Sequence, residues 1–254
     1  MTKNIIVIGC SFSRAFNDKN LNIRMSWPEY LSEKTGWTVN NYAQYCNSIT
    51  HQWHTLRHLL ENIEQKIDAV IVQLTGFDRI TFVKDWRFYT DKLYLRYKGD
   101  NNVKNYFEFK DSQVILNYRD WNKLGVMHFN PGANIKDKNW RQFYNYLIKH
   151  SVDSVGLFSK EYALLVQTEI IRMLKVHSIP FIIYSHYYSP KNIKKLYNNN
   201  LFNRYKNNLD FILQYNMENF DKYVIDDGHH FSIVGNKVIV DNFILPKLTS
   251  KLAV

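Results

Sequence analysis

Two short runs, Asn4–Gly9 (Asn-Ile-Ile-Val-Ile-Gly) and Asp68–Leu74 (Asp-Ala-Val-Ile-Val-Gln-Leu), constrain this chain most. Both are continuously apolar and β-branched, with none of the alternation that a half-exposed strand shows, so each reads as a strand buried on both faces. Segments of helical periodicity separate such runs. Ser26-Trp27-Pro28-Glu29 opens a helix with capping-box spacing and an early proline, and Gly36 closes it. Thr38–Ala43 reads as a second strand. His51–Lys66 carries Trp53, Leu56, Leu59, Leu60 and Ile63 at helical spacing before the third strand, Asp68–Leu74. Ser159–His177 predicts a helix, Pro180–Ser185 a fourth strand, Lys191–Phe220 interrupted helix, Lys222–Asp226 a fifth strand and Ile233–Leu248 a closing amphipathic helix. Parallel neighbours need crossovers, and helices of these lengths supply them. The pattern therefore predicts an α/β domain with a five-stranded parallel sheet covered on both faces. Functional groups belong beyond the strands' carboxyl ends.

The interval from Lys84 to about His150 breaks the alternation. It is rich in aromatics, with alternating runs at Lys92–Lys98 and Tyr106–Tyr118 and turn signals at Gly99-Asp100 and Pro131-Gly132. We read residues 84–150 as a β-rich insertion after strand three, placed to serve as a lid or substrate wall on a single domain spanning 1–254.

A chain of 254 residues can bury a full core without disulfide or metal staples, and its two cysteines, Cys10 and Cys46, are too few for a disulfide framework. Lys and Arg outnumber Asp and Glu by 33 to 23. That excess would draw the protein toward nucleic acid, anionic glycans or acidic membrane surfaces. No block of consecutive like charges resembles a nucleic-acid arm, however, and no apolar run is long enough for a membrane span. The expectation is a protein without a specific nucleic-acid partner, cytoplasmic or released without a signal peptide, as by packaging into a virus particle. Aromatic residues make up 16% of the chain, enough to furnish a sugar-stacking face as well as a core.

Chemistry gathers at the two ends. Gly9-Cys10-Ser11 follows the first buried strand, where an α/β fold can present a hydroxyl, though a serine there also suits a helix cap. After the fifth predicted strand comes Asp226-Asp227-Gly228-His229-His230-Phe231-Ser232-Ile233-Val234-Gly235. An Asp and a His three residues apart can hydrogen-bond, so that the carboxylate fixes the imidazole tautomer. His51, His54 and His58 fall on one helical face; with no fourth ligand in view they predict an exposed face beside the active-site loop, not a metal site. No cofactor is expected.

These motifs resemble those of the SGNH/GDSL-like serine hydrolases: a Gly-Asp-Ser after strand one, with Cys10 at the Asp position, and a late Asp-x-x-His continued by Ser and Gly. Ala43-Gln44-Tyr45-Cys46-Asn47-Ser48 is similar to the family's Ala-x-x-Gly-x-Ser loop, with Cys46 at the glycine. The resemblance implies a three-layer, flavodoxin-like fold and ester hydrolysis, on a small-molecule or glycan ester, with Ser11 as nucleophile, His230 as base and Asp227 orienting it. It also implies an oxyanion site that includes the Cys46 N–H. The third motif departs from the family's Gly-x-Asn-Asp, since the chain reads Leu74-Thr75-Gly76-Phe77-Asp78-Arg79. Either Asp78 or Phe77 takes the Asn position, and neither offers an amide. Thr75, Asn47 or Arg79 then substitutes as donor, or the enzyme is slow, since an oxyanion donor is worth roughly 10²–10³ in turnover. An SGNH-like glycan binder that has lost turnover is the alternative.

Overall fold

The computed structural model describes residues 2–13, 25–43, 48–62, 65–75, 80–83, 103–105, 126–129, 142, 155–185, 223 and 230–253. The apolar runs form a parallel sheet. Strand β1 (Asn4–Ile8) is flanked by β2 (Thr38–Asn41), with Asn4 opposite Thr38, and by β3 (Ala69–Leu74), with Ile5 opposite Ala69. Further out, β4 (Ile80–Val83), β5 (Val103–Asn105) and β6 (Val126–Phe129) lie within or beside the interval predicted to be an insertion. The remaining strand, β7 (Phe181–Ser185), pairs parallel with β3, so the four central strands run in the order β2-β1-β3-β7.

Helices α1 (Trp27–Thr35), α2 (Ile49–Asn62) and α3 (Val155–Val176) lie between the strands in sequence. Period-two alternation sorts each strand between two cores. Ile6, Ile8, Val70, Val72 and Ile183 pack with Leu56 and Leu59 of α2 and Ile170, Ile171 and Leu174 of α3. Ile5, Val7, Ala69, Ile71 and Ile182 face the other way, onto Trp27 and Leu31 of α1 and onto Ile239, Val240, Ile244 and Leu248 of the C-terminal helix. Each fully buried Ile, Leu or Val contributes about 1.5–3 kcal/mol. Both faces being covered is what makes uninterrupted apolar strands soluble.

Local signals act as their chemistry requires. The Glu29 carboxylate accepts from the Ser26 N–H and, at 2.8 Å, from the Ser26 hydroxyl, so the first turn of α1 is held by its own acid. Gly36 ends that helix in the left-handed region at φ 67°, donating its N–H to the Ser32 carbonyl at 2.8 Å.

The closing helix is longer than the sequence suggests. It runs as α4 (Ile233–Ile239), a π-helical turn (Val240–Ile244) and α5 (Leu245–Leu252), past the predicted end at Leu248. Pro246 explains the π turn: a proline cannot donate to the carbonyl four residues back and its ring crowds it, and a wider turn accommodates both.

The fifth predicted strand, 222–226, lies outside the described residues apart from Tyr223, which sits in a turn. A three-residue strand, β5, instead adds to the open side of β2, with Val39 opposite Val103. Strands β4 and β6 pair antiparallel in a separate two-stranded sheet, Ile80 opposite Phe129. The rest of the interval 84–150 and the helix expected over 191–220 fall outside the described residues, save Gln142, which is helical. No helix among the described residues is long and apolar enough to cross a membrane.

Candidate active site

Because β1 leads to β2 on one side and β3 then crosses to the other, the chain after β1 sits at a change of direction in the sheet, where such folds bind ligands. Ser11 occupies that place, in a single 3₁₀ turn (Ser11–Ser13) closed by the Ser13 N–H to the Cys10 carbonyl at 2.9 Å. The turn needs a glycine ahead of it. A Cβ at Gly9 would stand 2.4 Å from the Ser13 hydroxyl and 3.1 Å from the Gln73 side-chain oxygen.

Several elements pin the turn. Asn41, at the end of β2, donates its Nδ2 to the Ser13 carbonyl at 2.7 Å and accepts the Ala43 N–H at 3.1 Å. Trp27 donates its indole N–H to the Ser13 hydroxyl at 3.1 Å. Gln73, near the end of β3, accepts from the Cys10 N–H at 3.0 Å and from the Ser13 hydroxyl at 3.3 Å. Beneath them Tyr184 lies fully buried, and burial pushes its phenol well above the ordinary value.

The other half arrives from the chain's far end. Ser232 caps α4, its hydroxyl accepting the Gly235 N–H at 3.1 Å, while its own N–H donates to the Tyr223 carbonyl at 2.7 Å. Gly235 is held by close approach, since a Cβ there would lie 2.3 Å from the Tyr223 carbonyl oxygen and 2.9 Å from the Phe231 ring. The serine and glycine of the late motif thus have structural reasons of their own: they shape the entry to the helix that begins just after His230.

The His230 Nε2 lies 2.9 Å from the Ser11 Oγ, across 219 positions of sequence. With the proton on Nδ1, Nε2 accepts from the hydroxyl. The imidazole is flanked by Phe12, ring centroids 4.7 Å apart, and Phe12 meets Phe231 edge-on at 6.2 Å. This apolar packing fixes the ring's plane without competing for its nitrogens.

Among the other predicted site residues, Thr75 is buried immediately after β3. Asp227, Cys46, Asn47, Asp78 and Arg79 lie outside the described residues, as does His229. Cys10 is a buried free thiol whose Sγ lies 3.1 Å from the Gln73 oxygen, as suits a small buried filler. The histidines of α2 correct the sequence reading of an exposed face: His51 is buried beside Thr55, and His54 and His58 are half-buried. His54 packs on Trp53 at 4.2 Å, and burial, with Arg57 nearby, lowers its pKa to about 4. No group of three metal-ligating side chains occurs among the described residues. Sequence reasoning passed over Gln73, Asn41 and Phe12. Gln73 carried a usable signal, a polar side chain inside an otherwise apolar buried strand, which must find partners there.

Compared with solved structures, the chain aligns with TesA over 98% of its own length and 99% of that protein, at 11% identity and a TM-score of 0.52. The fold is that of TesA. A GDSL-like lipase from Bacteroides thetaiotaomicron (11% identity, 98% of this chain and 88% of that one, TM-score 0.47) and the SGNH-hydrolase family esterase AlinE4 (13%, 98% and 97%, TM-score 0.43) match more loosely. No protein-family model matches the sequence, and no curated protein matches it.

Proposed function

We propose that this chain is a serine ester hydrolase of the SGNH type. The observation that carries the proposal is the 2.9 Å contact between the Ser11 hydroxyl and the His230 imidazole at the carboxyl edge of a parallel sheet. A serine is a weak nucleophile unless a base takes its proton, and a positioned base contributes about 10²–10⁴ in rate. In this reading the Ser11 Oγ attacks the ester carbonyl carbon while its proton passes to the His230 Nε2. Asp227 accepts from Nδ1 and stabilises the imidazolium. The carbonyl oxygen, now an oxyanion, is held by backbone N–H groups of Ser11 and Cys46. Ser11 stands at the start of its 3₁₀ turn, where N–H groups have no acceptor within the turn. Collapse expels the alcohol, which takes the proton from His230. Water then attacks the acyl-enzyme with His230 again as base, releasing the acid and restoring Ser11.

The altered third motif bears on rate. Thr75, Asn47 or Arg79 replaces the absent asparagine as a further donor, whereas an ionised Asp78 facing the oxyanion would repel it. The same departure favours the alternative of a glycan-binding protein with impaired turnover. The substrate in our reading is a short-chain or acetyl ester, on a carbohydrate in keeping with the aromatic-rich composition.

A fluorophosphonate probe, which reacts with an activated serine, tests this directly. The expected result is one adduct, mapped to Ser11 by peptide mass spectrometry. Ser11→Ala should abolish both the adduct and release of p-nitrophenol from p-nitrophenyl acetate. An unchanged rate in Ser11→Ala would remove Ser11 from the mechanism. Labelling without turnover would favour the impaired binder.

A further inference from the structure

We propose that Gln73 is a positioning residue for the nucleophile, its side-chain oxygen clamping the chain on both sides of Ser11 and so setting the hydroxyl against His230. The inference rests on the reading of Ser11 as nucleophile. Gln73 is fully buried in β3, one position beyond the pairing of Val72 with Ile8, and so lies beside the point where β1 gives way to the Ser11 turn. Its Oε1 takes the Cys10 N–H at 3.0 Å from the residue before Ser11 and the Ser13 hydroxyl at 3.3 Å from two residues after it. The Cys10 thiol, at 3.1 Å, is a third donor.

The amide's orientation follows from its partners. A backbone N–H can only donate, so the atom facing Cys10 must be the oxygen, while Nε2 is used at 2.7 Å on the Leu74 carbonyl. The neighbouring bonds are directional too. Ser13 accepts the Trp27 indole N–H, which leaves its own proton for Gln73. Gln52 of α2 donates to the Gln73 backbone carbonyl at 2.8 Å, tying the strand end to the helix behind it. Gly9 must lack a side chain for the oxygen and the Ser13 hydroxyl to approach. Cys10 and Ser13 are thus tied to one atom, and Ser11, between them, has little freedom except toward His230.

A glutamine that only satisfied buried donors would affect how much protein folds, not the turnover of the folded molecules. A clamp acts on the reacting geometry, and a misplacement of about 1 Å costs on the order of 10²-fold in rate. Gln73→Met keeps the volume and removes the strong acceptor; Gln73→Glu keeps an acceptor oxygen. In the full chain, with p-nitrophenyl acetate and a fluorophosphonate probe, Gln73→Met should lower kcat and the labelling rate about 10- to 100-fold while KM stays within about twofold. Gln73→Glu should recover most of that loss in its protonated form, which keeps both the acceptor toward Cys10 and a donor toward the Leu74 carbonyl. Equal labelling of wild type and Gln73→Met would overturn the clamp alone, as would a loss that only tracks the folded fraction. If Gln73→Met does not fold, Ser13→Ala removes one arm of the clamp, and an unchanged kcat there overturns it equally. Absence of any Ser11 adduct in the wild-type protein would instead overturn the nucleophile assignment and take the clamp with it.

Discussion

Replacing Gly235 with alanine should do the opposite of what helix propensity dictates. Within an exposed helix the change gains about 1 kcal/mol, because glycine loses more backbone entropy on folding. Here the new Cβ would lie 2.3 Å from the Tyr223 carbonyl oxygen and 2.9 Å from the Phe231 ring. Ordinary contact requires roughly an ångström more, and the nearer obstacle is backbone, which cannot turn aside as a side chain can. Overpacking of this kind costs about 1–3 kcal/mol. Moving the carbonyl also strains its bond from the Ser232 N–H, worth about 1 kcal/mol more. Set against the propensity gain, the net expectation is a destabilisation of about 1–3 kcal/mol. Because Ser232 is only two positions from His230, the shift also re-aims the imidazole, and kcat should fall by about 10- to 100-fold in molecules that remain folded. Urea unfolding read by linear extrapolation gives the first quantity, and ester hydrolysis in the native baseline gives the second. Val234→Ala, on an exposed neighbour, is the control. Gly235→Ala that is as stable and as active as the parent would refute the close-approach reasoning.

Three further outcomes follow from the same contacts. Acidification should weaken the fold through His54: its folded pKa, about 4, lies below the ordinary 6.5, so the unfolded chain binds the proton more readily and stability falls as pH drops from about 6.5 toward 4. His54→Gln should flatten that part of a denaturation-midpoint-against-pH profile, and an identical profile would clear His54 of the effect. Ser232→Ala removes the cap of α4 and should cost about 1 kcal/mol in urea unfolding; no change would mean the cap is idle. Asn41→Leu strands the buried Ser13 carbonyl, so a loss of about 1–3 kcal/mol is expected together with a lower kcat; loss of stability with kcat intact would separate Asn41 from the site.

The sheet was legible because burial on both faces leaves a plain mark: Ile5 to Ile8 and Val70 to Val72 are apolar whichever way they point. Helix ends carried by caps were legible for the same reason, Glu29 and Gly36 being chemically specific. The closing helix was legible through Pro246 as far as Leu248, but not its last turn to Leu252 nor the π turn ahead of the proline, which apolar spacing does not mark. The pairing of Ser11 with His230 could be anticipated only by resemblance, since 219 positions of separation leave no local signal. Periodicity put the α2 histidines on one face but could not say what covers it, and packing buries His51. Gln73 was readable in principle, as one polar residue in a buried strand, but its partners Cys10 and Ser13 come from another strand's loop.

Whether the two ends of the chain act as one chemical unit is best tested by a double-mutant cycle on p-nitrophenyl acetate hydrolysis. Residues that share a proton lose their function together, so Ser11→Ala/His230→Ala should be no slower than Ser11→Ala alone. If the two losses instead multiply, each side chain contributes independently and the nucleophile–base couple proposed here does not exist.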